Sequence, residues 1–384
     1  MPTYAVGSKT GSAYIAETVY GTPPASPAMK ALRSKFGKKF DLKRDTFNSK
    51  EVSSTRQIMA LVYGNRSGSG SLPVEFSYGS YDDLFEAVLG GTWTGNVLKV
   101  GNVNRSFTIE DQTSEINVYE QNTGCVFNEF SIAVKPNAIT EGSFSFMFKD
   151  QRGVQSNLGA TTLAIAATTL TRSAGSFITD GFAIGDVVVV SGTGTVAGNQ
   201  TPAVITGITA TVITCTGAAW TVLAATANLV VSLGSLANST GGSLVPANTN
   251  VPFDSFTGTI SEGGTVIAYV TGLDLKATAQ AQANNVVFSP TAQSITMGQL
   301  GVSGNLSLYF VNQALKAKFL AGTSTSLQFT LGNGSALSYV FNMGTVKYTS
   351  NSRDNVENTL TETAAFTATY DSGDASTLKI TRIP

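Results

Sequence analysis

The feature that most constrains this chain is a strand running straight into a short helix, because it occurs twice. Residues Ser71 to Gly91 read SLPVEFSYGSYDDLFEAVLGG. Leu72, Val74, Phe76 and Tyr78 alternate with small or polar residues, the period of a strand with one buried face. Ser80 is placed to cap a helix whose first turn carries Asp82 and Asp83, where the helix dipole favours negative charge. Leu84, Phe85, Val88 and Leu89 make one apolar stripe, and Gly90-Gly91 supplies the left-handed stop. Residues Asn305 to Gly322, NLSLYFVNQALKAKFLAG, repeat the plan. Leu306, Leu308 and Phe310 alternate, Asn312 caps, Leu315, Phe319 and Leu320 form the stripe, and Gly322 ends it. Further on, Ser106–Glu110 matches Ser326–Thr330 at an offset of 220, as do Tyr119 with Tyr339, Val126 with Val346 and Phe146 with Phe366. The two caps lie 232 apart, so the first copy holds 12 additional residues, within TWTGNVLKVGNVN. The shared order of strand, helix, hairpin and alternating strand implies an internal duplication.

A chain of 384 residues has room for two or three cores. Its 39 glycines, 13% charged residues and wealth of Thr, Val, Ser and Phe favour strands and turns over helices. There is no histidine, which removes the usual general base, the commonest metal ligand and the Ser-His and Cys-His nucleophile pairs. Cys125 and Cys215 fall in different predicted domains and are expected to be reduced thiols; two isolated cysteines make no zinc site. GNRSGSGS lacks the lysine and following helix of a phosphate cradle. Asp82-Asp83 reads as helix-start charge, and Glu110-Asp111 as a cap at a strand end. No catalytic residue, cofactor or metal is assigned. The N-terminus lacks a signal-peptide core and no run approaches a membrane span, so a soluble protein made inside a cell is expected.

The net charge of −1 hides an uneven distribution. Residues 1–70 carry 11 Lys/Arg against 4 Asp/Glu, whereas residues 71–150 carry 4 against 11. Opposite patches of this kind suit recognition between copies of one chain. Four domains are expected. Residues 1–30, with Pro23, Pro24 and Pro27, form an extended arm that lies on a neighbour. Residues 31–155 form the first repeat. Here the basic run Lys30, Arg33, Lys35, Lys38, Lys39, Lys43, Arg44 sits on a strand edge, followed by a long loop around Asp45–Ser67. Residues 156–250 differ in kind: only Arg172, Asp180 and Asp186 are charged, and strands are predicted at Asp186–Ser191, Ala203–Ile208, Val212–Thr216 and Asn228–Leu233. This is an inserted all-β domain with a Gly/Ser/Asn-rich linker, its core built on Phe177, Phe182 and Trp220. Residues 251–384 form the second repeat, with a loop around Thr278–Gly301.

The run FGKKFDLKRDTFNSKEVSSTRQIMALVYGNRSGSGSLPVEFSYGSYDDLFEAVLGGTW resembles the major tail tube proteins of long-tailed, siphovirus-like bacteriophages. So do TGCVFNEFSIAVKPNAITEGSFSFMFKD, FDSFTGTISEGG, KFLAGTSTSLQFTL and LKITRIP; residues 156–250 fall outside the resemblance. It implies a mainly β fold: two tandem β-sandwich or barrel-like copies, each with one short flanking helix, plus the inserted β domain. It further implies stacked rings forming the conduit for DNA ejection, with two copies per chain giving homotrimeric, pseudo-hexameric rings. The implied partners are the chain itself, the tail-tip initiator, the tape measure and the tail terminator, in a virion tail assembled in the host cytoplasm. DNA passes the lumen without sequence-specific binding, and no membrane is involved. A bore that passes DNA should hold few cations, so Lys38, Lys39, Lys43, Arg44 and Arg56 are expected at a stacking interface between rings. The alternatives are a capsid decoration protein, or an adhesin-like carbohydrate-binding module using the insert.

Overall fold

Period-two alternation along most of the chain becomes strand pairing in the computed structural model, which describes residues 5–24, 26–52, 54–217, 219–356 and 358–384. Met1–Tyr4 of the predicted arm lie outside the described residues. The first copy runs through β1 (Gly11–Ala16), β2 (Ala28–Ala31), β3 (Lys39–Asn48), β4 (Leu61–Glu75), α1 (Asp82–Leu89), β5 (Val97–Lys99), β6 (Phe107–Thr113), β7 (Val118–Val134) and β8 (Glu141–Phe148). After β9 (Asp150–Arg152) comes the sparsely charged stretch. It holds β10 (Gln155–Asn157), β11 (Leu163–Ile165), β12 (Thr169–Arg172), α2 (Phe177–Asp180), β13 (Val187–Gly192), β14 (Ala203–Ile208), β15 (Val212–Thr216), β16 (Leu223–Thr226) and β17 (Leu229–Leu233). Past β18 (Ser243–Val245), the second copy has β19 (Gly258–Glu262), β20 (Thr265–Val266), β21 (Val270–Asn284), β22 (Ser294–Tyr309) and α3 (Ala314–Ala321). It ends with β23 (Thr325–Leu331), β24 (Ser338–Val356), β25 (Thr359–Thr369) and β26 (Lys379–Ile383).

The chain divides into two compact units. One comprises Met1–Leu32, Ser106–Cys125 and Phe148–Ala247. Within it β10 to β17 form an eight-stranded antiparallel sheet in the order β10-β17-β13-β14-β15-β12-β11-β16. The four strands expected there are present, and Phe177, Phe182 and Trp220 lie buried in its core with Val188, Val190 and Leu229. The three charged residues of this stretch are all paired: Arg172 holds Asp180 at 2.5 Å and Arg152 holds Asp186. Low charge is therefore accommodated by pairing each ion at the margin of an apolar core. In the same unit β1 pairs antiparallel with β6, and β2 pairs with β1. The segment expected as an arm on a neighbour is thus paired in its own chain from Gly11 to Ala16. Glu110, expected to cap a strand end, sits buried inside β6. It accepts from the Leu236 N–H at 2.6 Å, Ser235 Oγ at 2.7 Å and Gln112 Nε2 at 2.7 Å, while burial raises its pKa.

The other unit comprises Arg33–Arg105, Val126–Met147 and Asn248–Pro384. Here the repeat is read directly from the sheet. Strands β3-β4-β8-β7 are neighbours in the first copy and β21-β22-β25-β24 in the second. The irregularities repeat too. The β3–β4 ladder shifts between Arg44 and Thr46, and the β21–β22 ladder between Ala279 and Ala281. The β7–β8 ladder shifts between Phe127 and Glu129, and β24–β25 between Tyr348 and Ser350. Gly70 and Gly304 each lie under a phenylalanine ring, Phe146 and Phe366, with no room for a Cβ. In the second copy β19 pairs with β23 as β1 pairs with β6 in the first, so β1 is the first strand of its repeat.

Several local expectations are corrected. The stretches around Asp45–Ser67 and Thr278–Gly301 are mostly long antiparallel ribbons, and GNRSGSGS is strand; only residues 49–60 and 285–293 connect them. Glycine-rich composition suggests a loop there, but in the ribbon Gly70 leaves room for the Phe146 ring against the strand. The N-cap of helix α1 falls one residue after the expected Ser80, at Tyr81, and α3 has Gln313 there while Asn312 Oδ1 accepts from the Ala314 N–H at 2.9 Å. Both helices end at a left-handed glycine, Gly90 (φ 61°) and Gly322 (φ 62°). The additional residues of the first copy are not a plain loop: they form β5, which pairs with β26 from Lys99↔Lys379 to Val97↔Thr381.

Candidate assembly surfaces

Because the same four-strand order occurs twice in one unit, the way the copies meet there is the natural template for surfaces between chains. The last strand of the first set, β7, pairs antiparallel with the first strand of the second, β21, from Leu273↔Val134 to Thr278↔Glu129. The buried side of this seam brings Leu275 and Ala277 against Ile132 and Phe130. On the other side Lys276 Nζ lies 2.9 Å from Glu129, whose carboxylate also accepts from Thr278 Oγ1 at 3.1 Å.

A second contact between copies is built on α1. Its apolar stripe puts Leu84, Phe85, Val88 and Leu89 inside. The Phe85 ring meets Phe76, Phe130 and Phe144 of its own copy at 5.2–5.8 Å, and Tyr339 and Phe341 of the second copy at 5.9 and 6.0 Å. At the helix start Asp82 accepts from the Tyr339 hydroxyl and from Arg382 at 2.7 Å. The Arg382 guanidinium lies 4.1 Å over the Trp93 ring, and Tyr339 Oη accepts from the Gly79 N–H at 2.8 Å. Burial, and then the neighbouring Asp82 charge, pushes the Tyr339 hydroxyl far above the ordinary phenol range. Asp82 is both a first-turn helix charge and the polar lock between the copies. The second helix behaves differently. Of its expected stripe only Leu315 is buried, Phe319 is half-buried and Leu320 is 72% exposed.

The basic residues singled out from sequence lie along the β3–β4 ribbon. Lys39 and Lys43 share one face of β3 with Asp41 between them, and Arg44 is on the other face, its guanidinium 4.3 Å over the Tyr63 ring. Arg56 lies in the 49–60 connection, and Lys38 precedes the strand. The ribbon is exposed on both faces from Asp41 to Asn48, including Leu42, Phe47, Leu61, Val62 and Tyr63. Other members of the basic run are used inside the chain: Lys35 pairs with Glu141, and Arg33 donates to Asn250 O at 2.7 Å and Ser77 Oγ at 3.0 Å. Two edges of the repeated sheet carry no registered neighbour among the described residues. They are the outer edge of β3 and the outer edge of β24 beyond Val346.

Among the described residues no group of three or more His, Cys, Asp or Glu is arranged to hold a metal ion. Among the same residues no helix is long and apolar enough to cross a membrane. No curated protein matches the chain. The family of phage tail tube proteins matches it twice, over residues 7–219 and 211–375. The first match takes in β1 to β15 and the second runs from β15 into the turn before β26, so each contains one full set of the repeated strands. With the sheet order, the shared bulges and both helices repeated, and nearly the whole length covered, the chain belongs to the phage tail tube family.

Proposed function

We propose that this chain is the self-assembling subunit of a phage tail tube, with three chains per ring and six tube folds around each bore. The observation that carries the reading is the edge-to-edge joining of two equivalent four-strand sets, which leaves one edge of each kind open. A sheet with two long open edges of complementary type is satisfied by closing on copies of itself. Rings then stack into the conduit through which DNA leaves the particle, and the ends of the tube meet the tail-tip initiator and the terminator, with the tape measure inside. Residues 1–30 and 31–155 together supply the first tube fold and residues 251–384 the second. The nearly uncharged sheet within 156–250 decorates the outside, because the bore has to stay open. The tips of the two ribbons, with exposed Ile58 and Met59 on one and Val287 and Phe288 on the other, supply contacts between rings.

The test is negative-stain microscopy of the purified chain, with light scattering on the smallest closed species. Hollow tubes or six-lobed rings weighing three chains are expected. Six chains per ring would keep the tube and remove the three-chain arrangement. Particles that bind shells as knobs, and never form rings, would replace the tube with a capsid decoration protein.

A further inference from the structure

The seam inside the chain specifies the seam between chains, residue by residue. The bulges align the copies: Ala279 stands 235 positions after Arg44, and Tyr348 stands 221 after Phe127. Carried by these offsets, β21 corresponds to β3, and the part of β7 that pairs with β21 corresponds to β24 from Ser350 to Asn355. In the internal seam Asp274 is opposite Ala133 and Lys276 opposite Ser131. The corresponding pairs are Lys39 with Asp354 and Asp41 with Ser352.

We propose that β3 of one chain adds antiparallel to the free edge of β24 of a second copy of this chain in that register, a refinement that rests on the tube reading above. Both strands are long, exposed and open on the required side. The register sets opposite charges directly across from each other at Lys39 and Asp354, whereas a two-residue slip sets Asp41 against Asp354. A one-residue slip turns Phe40 and Leu42 onto the opposite face and is excluded by the pleat. The lysines expected between rings therefore belong to the lateral seam.

An independent feature points to the same partner. Val88, buried in α1, and Leu320, exposed in α3, hold the same place two residues before their left-handed glycines. Val88 shares a cleft with Ala279 and Met297 of the second-copy ribbon. The counterparts of those two residues are Arg44 and Tyr63, the stacked pair on the exposed first ribbon. In the assembled ring the partner's ribbon covers Leu320 as the internal ribbon covers Val88.

Cysteine pairs read the register, since a disulfide forms only where Cα atoms come within about 7 Å. The native Cys125 and Cys215 are both buried and do not compete. Lys39→Cys with Asp354→Cys, and Phe40→Cys with Arg353→Cys, cover both classes of antiparallel pair. Oxidised tubes of at least one variant are expected to give a denaturing-gel ladder that stops at three chains. Asp41→Cys with Asp354→Cys, the slipped pair, is expected to stay largely monomeric on the gel. Tubes that form normally yet link only through the slipped pair, or through none, overturn the register and leave the tube intact. A wild-type chain that forms no rings or tubes under any condition overturns both. As a second readout, Lys39→Asp and Asp354→Lys should each lower polymer yield and together restore it; no rescue counts against the pairing.

Discussion

Helices α1 and α3 occupy the same place in the repeated fold, stop at glycines with nearly the same φ, and differ in what lies over them. Five of the eight α1 residues are buried, whereas Leu315 is the only buried residue of α3. The strand leading into each helix is equally well packed: Leu72 and Val74 in one copy match Leu306 and Leu308 in the other. The difference arises at the face turned away from the own-copy sheet. Over α1 that face meets Tyr339, Phe341 and the second ribbon; over α3 no counterpart lies among the described residues. Burial of α1 therefore comes from the second copy in the same chain, and α3 lies open in the single chain.

The largest effect that would break this comparison is at Phe85. Phe85→Ala removes a ring packed against five others and should cost about 3–5 kcal/mol in denaturant unfolding. A loss under about 1 kcal/mol would mean that α1 is not sealed by the second copy. Next comes Asp82→Ala, which leaves Tyr339 Oη and Arg382 without their shared acceptor and should cost about 1–3 kcal/mol. The comparable position in α3 is Ala314, which has no such acceptor to lose.

The alkaline limb of the stability curve probes the same lock. The phenol of Tyr339 is raised above its ordinary value of 10.0, chiefly by burial. Its contribution is fully present below pH 10 and is lost as pH rises, because the unfolded chain releases a proton that the folded chain retains. Tyr339→Phe should therefore show a shallower fall in stability above pH 10 than the parent chain. An unchanged slope would place the alkaline sensitivity in other buried tyrosines such as Tyr81. The smallest effect on the chain alone is expected at Leu320. Leu320→Ser should move unfolding by no more than about 0.5 kcal/mol, yet reduce ring yield if a neighbour covers it. Equal ring yields would confine the likeness of α1 and α3 to the single chain.

Much of the fold was legible because it is written in local periodicity. The alternation at Leu72–Phe76, the stripe of α1, the stops at Gly90 and Gly322, and four strands of the inserted sheet all follow from spacing and from residues with special backbone freedom. The ribbons are hidden in the sequence because Gly64, Gly68 and Gly70 look like loop punctuation, and the ring that lies on Gly70 comes from Phe146, distant in sequence. The basic residues of β3 stand out in the sequence by their charge. Nothing in their spacing tells that Lys39 and Lys43 line an open edge, since an edge is defined by the strand that is missing beside it. Asp82 shows the same limit: the first-turn position explains its presence, but its partners Tyr339 and Arg382 stand 257 and 300 residues away.

The sequence by itself determined that the chain is a duplicated, mainly β protein with one short helix per copy, because side-chain period and glycine placement act over a few residues and survive duplication. Tertiary structure alone decided that the first strand of each copy closes onto its own repeat, and that β7 and β21 join the copies edge to edge. It also decided that one helix is sealed while the other lies open. Those outcomes depend on which strands meet, and backbone hydrogen bonds between strands carry no mark of their partner in either sequence.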